Sequence, residues 1–247
     1  MTDNPFARRI DAILTDEARL FASTVPYAQH LSREDEALDE AYYVRHRIET
    51  VHRIRGTAAT DALALCAMAR EDYRAARLWG EYIEEEMNHD KLYLADLEQH
   101  GIDEAQVVST QPLAATVDLI RTIEQNVLRI GSLPAVAYSV FAEWNSERAS
   151  PLAVARAASA FSERHVKGAR AHIKIDERDD HYDMMLEVAG RVLRARGYPF
   201  EVMEQALRTV GTLLRAYFAE LYWVTRDPAR SNLSGQARHH PASHRTA

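Results

Sequence analysis

The run Glu81-Tyr-Ile-Glu84-Glu85-Glu86-Met-Asn-His89 sets an imidazole three residues after the last of four carboxylates. On a continuous helix, residues three apart project from one face. Glu86 and His89 then form the Glu-x-x-His pair with which bundle helices hold iron or manganese. The same run also reads as a solvated acidic face ending in a histidine, and only matching ligands on other helices separate the two. Glu143 is the single acid in Tyr138-Ser-Val-Phe141-Ala-Glu143-Trp144, where burial is expensive unless a cation or metal compensates it. Glu147, in the polar run Asn-Ser-Glu-Arg, is expected in solvent. A third stretch, His172-Ile-Lys-Ile-Asp176-Glu-Arg-Asp179-Asp180-His181, places His172, Asp176 and Asp179 on one helical stripe, which His165 joins a heptad earlier. Imidazole mixed with carboxylate suits iron with open positions for oxygen; the competing reading is a charged surface helix. Three helices that each offer a carboxylate, two of them with a histidine, make a dinuclear metal site the expectation.

The elements that must position these groups are helices. Asp3 or Asn4 before Pro5 starts a first helix to about Ala22, broken by Ser23-Thr-Val-Pro26. A second is predicted from Ser32 to Arg55, stopping at Gly56, with Glu49 or His52 able to turn inward. A long helical region follows from Thr57 to Gln99, with a bend at Gly80 and a stop at Gly101. Further helices are predicted from Pro112 to Ile130, Ala135 to Arg148, over 152–196, and from Phe200 to Val224. Residues 227–247 are polar and lack apolar periodicity, which predicts a disordered tail. Its His239-His-Pro-Ala-Ser-His244 could at most chelate loosely. The expected organisation is one helical domain over 1–226 followed by that tail.

Composition agrees. Of 247 residues, 47% are hydrophobic and only 9 are Gly and 8 Pro, which favours an all-α core over a β fold. A net charge of -7 without a concentrated basic patch outside the last residues argues against nucleic acid. The single cysteine, Cys66, forms no internal disulfide and is expected as a buried small hydrophobe in a cytoplasmic protein. An N-terminus without an apolar h-region, and no uninterrupted apolar segment of about 18 residues, predict neither signal peptide nor membrane span.

The order of a Glu-His pair, a lone Glu about sixty residues on, then His-x-x-x-Asp followed by His resembles the haem-oxygenase-like di-iron oxidases and oxygenases. These are iron-containing redox enzymes on the helical fold shared with TenA and PqqC. Tyr82 to Leu97 is the most similar piece, and the resemblance spans roughly 57–224. It implies a single-domain haem-oxygenase-like bundle of about seven or eight helices holding two Fe(II) ions, with O2 as co-substrate. By the same resemblance Glu86 and His89 are the first ligand pair, with Glu85 as a substitute for Glu86. Glu143 is the bridging glutamate, and His172 and Asp176 open the last motif. The family's final histidine falls where this chain has Asp179. His181, two residues later, faces about 180° away from His172 on a straight helix, so either the helix unwinds to bring His181 in or Asp179 replaces it.

The implied activity is oxidation of a small amine, amino acid or carboxylic acid: N-oxygenation, or oxidative C–C or C–H cleavage. An electron donor would fit such chemistry. Arg121, Tyr138 and His165 are candidates to meet the substrate, and exposed faces on the first and last helices would allow a homodimer. The alternatives are a metal-free bundle of the PqqC and TenA kind that binds or converts an organic ligand, and a helical scaffold with solvated acidic stripes. Haem oxygenase itself is disfavoured, since the early histidine His30 lies in a Pro-containing connector. A thiaminase-like reading is disfavoured because it needs a reactive cysteine and Cys66 is expected to be buried.

Overall fold

The computed structural model describes residues 4–226, so the expected tail and its histidines lie outside the described residues. The described chain is all α: α1 (Pro5–Thr24), α2 (Glu40–Glu71), α3 (Tyr73–Glu86), α4 (His89–Gln99), α5 (Glu104–Ser109), α6 (Ala114–Ile130), α7 (Leu133–Arg148), α8 (Ser150–Ala160), a 3-10 turn (Glu163–Val166), α9 (Lys167–Asp179), α10 (His181–Arg196) and α11 (Phe200–Arg226). None of these helices is long and apolar enough to cross a membrane.

Where elements start and stop differs from the sequence reading in informative places. Asn4 caps α1 as expected, its side chain accepting from the Phe6 amide. The second helix begins only at Glu40, behind an Asp39 cap, and runs through Gly56 to Glu71. Gly56 is there for closeness. A Cβ on it would lie 2.3 Å from Ile120 Cδ1, so its lack of a side chain lets α6 approach α2. Gly80 bends nothing and lies inside α3. The breaks fall instead at Asp72, which caps α3 through the Ala75 amide, and at Met87-Asn88. The helix count exceeds seven or eight because the 57–99 and 152–196 regions are each divided, and because the short α5 carries its own Asp103/Gln106 capping box.

One apolar core joins α1, the second half of α2, α3, α6, α7, α10 and α11 around Trp79, Leu119, Met185 and Met203. A second joins the first half of α2 to α4, α5, α8 and α9 around Val51, Leu97 and Val166. Two buried carboxylates lock neighbours into place. Glu49 accepts from Arg45 at 2.6 Å, from Thr116 Oγ1 at 2.6 Å and from the Leu113 amide at 3.1 Å, which ties α2 to the start of α6. Asp96 of α4 accepts from the Gly168 and Ala169 amides at 2.7 and 2.8 Å. It thereby caps α9, whose own preceding residue offers no side-chain cap, and takes up amides that a helix start leaves unpaired. Gly168 makes the contact sterically feasible, since a Cβ there would sit 1.9 Å from the Leu92 carbonyl oxygen. This Asp96 clamp holds α4 against α9.

Two expectations outside the site change. Cys66 is exposed, because it sits on the outer face of α2 while Ala64 and Met68 take the core. His30 is buried with both ring nitrogens engaged. Nδ1 lies 2.8 Å from Glu36, and Nε2 accepts from the Asp39 amide, so this histidine braces the connector.

Candidate metal centre

Glu86 is the last residue of α3 and His89 the first of α4, so the pair straddles a helix break instead of riding one face. They still meet, with His89 Nδ1 3.1 Å from Glu86 Oε1. Facing them across the clamped α4–α9 interface are His172 and Asp176, one turn apart on α9. His172 Nδ1 lies 2.9 Å from Asp176 Oδ2. The His89 and His172 rings are 4.1 Å apart between centroids.

The backbone sets which of His181 and Asp179 faces inward. Asp180 adopts φ +50°, ψ +45°, the left-handed conformation open to Asp at modest cost. It ends α9 and restarts the chain as α10 with His181 in the first position. That reversal removes the straight-helix geometry in which His181 would face away. His181 turns inward and is buried, its Nδ1 3.4 Å from Asp176 Oδ1, 3.7 Å from Glu86 Oε1 and 3.9 Å from Glu143 Oε2. Its Nε2 lies 3.1 Å from Glu85 Oε2. Asp179 points to the rim and accepts from Nε and Nη2 of Arg178. Glu143 enters from α7, 3% exposed, and accepts a 2.7 Å hydrogen bond from the Tyr82 hydroxyl on one oxygen only.

Two groups of potential ligands share Glu86: Glu86, His89, His172 and Asp176 on one side, and Glu86, Glu143 and His181 on the other. Within each, the ligand atoms lie within 4.8 Å of one another. Glu85 and Asp179 form a more exposed outer group around His181. His165 does not belong to any of these groups. It stands in the 3-10 turn, its Nδ1 2.9 Å from Ser162 Oγ and its ring edge-on to that of His100, because the break at Phe161 takes it off the stripe of His172. Glu147 is exposed and paired with Arg148.

Whether this set suits a metal can be tested on its hydrogen bonds. Glu86 Oε1, His89 Nδ1, Glu143 Oε2, Asp176 Oδ1 and His181 Nδ1 are all buried and all lack a hydrogen-bond partner, although Glu86 Oε1 lies 3.1 Å from His89 Nδ1 and His181 Nδ1 lies 3.4 to 3.9 Å from Asp176 Oδ1, Glu86 Oε1 and Glu143 Oε2. Buried polar atoms are nearly always paired. Five that crowd together without pairing, in two groups joined at Glu86, are placed as ligand atoms are. Their electrostatics agree. Burial, then the charges of Glu86 and Asp176, push the Glu143 carboxyl well above the usual range. Burial works against a charged His181, yet the adjacent Asp176 carboxylate and the Glu143 and Glu86 charges raise it to about 9. Asp176 is also desolvated, but the His172 imidazole 2.9 Å from its Oδ2 and the His181 imidazole beside it outweigh that and hold it low. Protons on Glu143 and His181 offset surplus carboxylate charge, and a dication would displace them while doing the same. The residues fit a metal.

Sequence reasoning missed the supports of this set. Ser146 donates to Asp176 Oδ2 at 2.5 Å, and its place one turn after Glu143 was the available signal. Tyr82 reads as an apolar core residue and proves to be the donor to Glu143. Asp61 of α2 feels the Glu86 charge, and burial is the larger of the causes that push it up to about 7. It sits in an otherwise Ala- and Leu-rich run with no partner motif to mark it.

In solved structures the fold has parallels. A protein from Shewanella denitrificans os217, described as a domain of unknown function with a heme oxygenase-like fold, superposes with a TM-score of 0.75 at 19% identity, covering 88% of this chain and 92% of that one. A TenA homolog from Pseudomonas syringae pv. tomato str. DC3000 does so with a TM-score of 0.71 at 14% identity, covering 89% of this chain and 93% of that one. At these identities the likeness establishes the haem-oxygenase-like fold. No curated protein matches the chain in sequence. A family model described as iron-containing redox enzyme matches residues 50–212, a span that holds all six inward-facing carboxylates and imidazoles, and the chain belongs to that family of iron-containing redox enzymes.

Proposed function

We propose that this protein is a non-haem di-iron enzyme that uses O2 to oxidise a small amine, amino acid or carboxylic acid. The observation that carries the reading is the convergence of five buried ligand atoms that make no hydrogen bond to one another. Glu86, His89, His172 and Asp176 would hold one iron, and Glu143 and His181, with Glu86 shared, the other. Bound ferrous ions supply electrons and open coordination positions for O2. The chain's own contribution is placement. Tyr82 and Ser146 each donate to one oxygen of Glu143 and Asp176 and leave the other oxygen facing inward, which fixes carboxylate orientation as outer hydrogen bonds do around metals. Burial of His89, His181 and Glu143 among apolar side chains keeps water from the reacting atoms.

Anaerobic titration of the full-length protein with ferrous iron tests the reading. Two equivalents should bind, and admitting O2 should then produce a transient visible absorption. Glu86→Ala and His172→Ala should each abolish that signal. No uptake of iron by the wild-type protein would remove the proposal and favour a metal-free bundle acting on an organic ligand.

A further inference from the structure

Among the described residues, helix α1 gives no ligand to the cluster, and it precedes the span of the family match. One of its side chains nevertheless reaches both helices of the second ligand group. Asp11 Oδ1 accepts from Trp144 Nε1 at 3.1 Å, from the Tyr182 hydroxyl at 2.9 Å and from Arg148 Nη2 at 3.3 Å. Trp144 follows Glu143 on α7, and Tyr182 follows His181 on α10. Successive residues on a helix point about 100° apart. Each helix therefore turns a ligand inward while its next side chain swings round to α1. Arg148, one turn after Trp144 on the same face of α7, lies 4.9 Å from the centroid of the Trp144 ring and 5.4 Å from that of Tyr182, so its guanidinium contacts both.

This join holds a helix start that has no cap. α10 begins with His181 directly after the left-handed Asp180, and no side chain caps its first turn, whose amides a helix start leaves unpaired. The hydroxyl of Tyr182, the second residue of that turn, ties it to α1. Trp144 and Tyr182 are both buried, a setting in which each needs a partner for its polar atom, and one oxygen of Asp11 serves both. Asp11 thus does for α7 and α10 what Asp96 does for α4 and α9. Asp96 joins the helices that carry His89, His172 and Asp176. Asp11 joins those that carry Glu143 and His181. Asp96 is buried and Asp11 only half-buried, so Asp11 can be replaced without opening the core.

We propose that Asp11 is a positioning residue for the second metal site. By holding Trp144 and Tyr182 it fixes the rotation of α7 and of the first turn of α10, and with it the direction in which Glu143 and His181 point. It acts through the residues next to the ligands. This deepens the di-iron reading and rests on it for what the positioned groups hold.

The test is anaerobic titration of the full-length protein and its variants with ferrous iron, with amide hydrogen exchange on the iron-free forms. In Asp11→Ala the first equivalent of iron should bind as in the wild type and the second about tenfold more weakly, the low end of what lost outer hydrogen bonds cost a metal site. Amides at the start of α10 should exchange faster, while those of α4 and α9 keep their wild-type rates. Tyr182→Phe removes a single hydroxyl and should reproduce both effects in smaller measure. Asp11→Asn keeps an acceptor oxygen and should recover much of the loss. Arg208→Gln, which loosens α1 from α11 at Glu17 instead, should leave both equivalents as they are. Equal weakening of the two equivalents in Asp11→Ala, or a second equivalent that neither Asp11→Ala nor Tyr182→Phe weakens, would overturn the proposal. Should Asp11→Ala fail to fold, Tyr182→Phe and Asp11→Asn decide it. A wild-type protein that binds no iron sinks the di-iron reading and this proposal together. One that binds two equivalents, both indifferent to Asp11, sinks this proposal alone.

Discussion

Glu49 and Glu143 are both glutamates sunk in the interior, 0% and 3% exposed, and the protein treats them in opposite ways. Around Glu49 every demand is met from within: an arginine, a threonine hydroxyl and a backbone amide converge on it. Around Glu143 there is one tyrosine hydroxyl, two further carboxylates whose charges oppose its ionisation, and an oxygen with no partner. A buried charge that its neighbours complete is a structural joint. One left incomplete among other incomplete groups is a place for something the chain does not itself supply.

Substitution by the neutral isostere should separate the two most sharply. Glu49→Gln leaves Arg45 buried without its anion and should cost about 3–5 kcal/mol of stability, the usual penalty for breaking a buried pair, read from denaturant unfolding. Glu143→Gln should not lower the stability of the iron-free protein, because it removes an ionisation that the fold opposes, and it should halve iron stoichiometry. If both variants lose stability alike, the contrast is wrong.

A pH series on the iron-free protein extends the comparison to Asp61. Burial, then the Glu86 charge, raise its carboxyl from an ordinary 3.8 to about 7. The folded-state value lies above the unfolded one, so the fold opposes ionisation. That penalty is absent below about pH 4, grows as pH rises toward 7 and is complete above it. Asp61→Asn should therefore add up to roughly 4 kcal/mol at pH 8 and nothing at pH 4. Equal gains at both would dismiss the assignment.

Smaller effects probe the supporting hydrogen bonds. Ser146→Ala and Tyr82→Phe should each weaken iron binding about 10- to 100-fold, as outer-shell losses do, while the chain stays folded by circular dichroism. Glu147→Ala, one residue beyond Ser146 but turned to solvent beside Arg148, should change stability by no more than about 0.5 kcal/mol and leave iron affinity untouched. A Glu147 variant that lost iron would show that local sequence, not facing, governs the site.

Much of this was legible in the linear chain. Local sequence marked Glu86, His89, Glu143, His172 and Asp176 as candidate ligands, because acids and imidazoles in an apolar, helix-forming context stand out against the cost of burying them, while His181 entered only through the family resemblance. The all-α class followed from composition and the helical period of the apolar residues. Illegible were the features that depend on contacts far apart in sequence. Gly56 looks like a stop until Ile120 is found against it. The start of α9 has no cap of its own until Asp96 arrives from α4. His165 appears to share a stripe with His172 until the chain breaks at Phe161.

What the sequence determined by itself is which side chains could serve as ligands, since that is a matter of chemistry and local spacing. What only the tertiary structure decided is which of them face one another. Asp180 in its left-handed turn brought His181 inward and sent Asp179 to the rim. Facing is set by helix breaks and by contacts between distant segments, and neither is encoded in the interval between two residues.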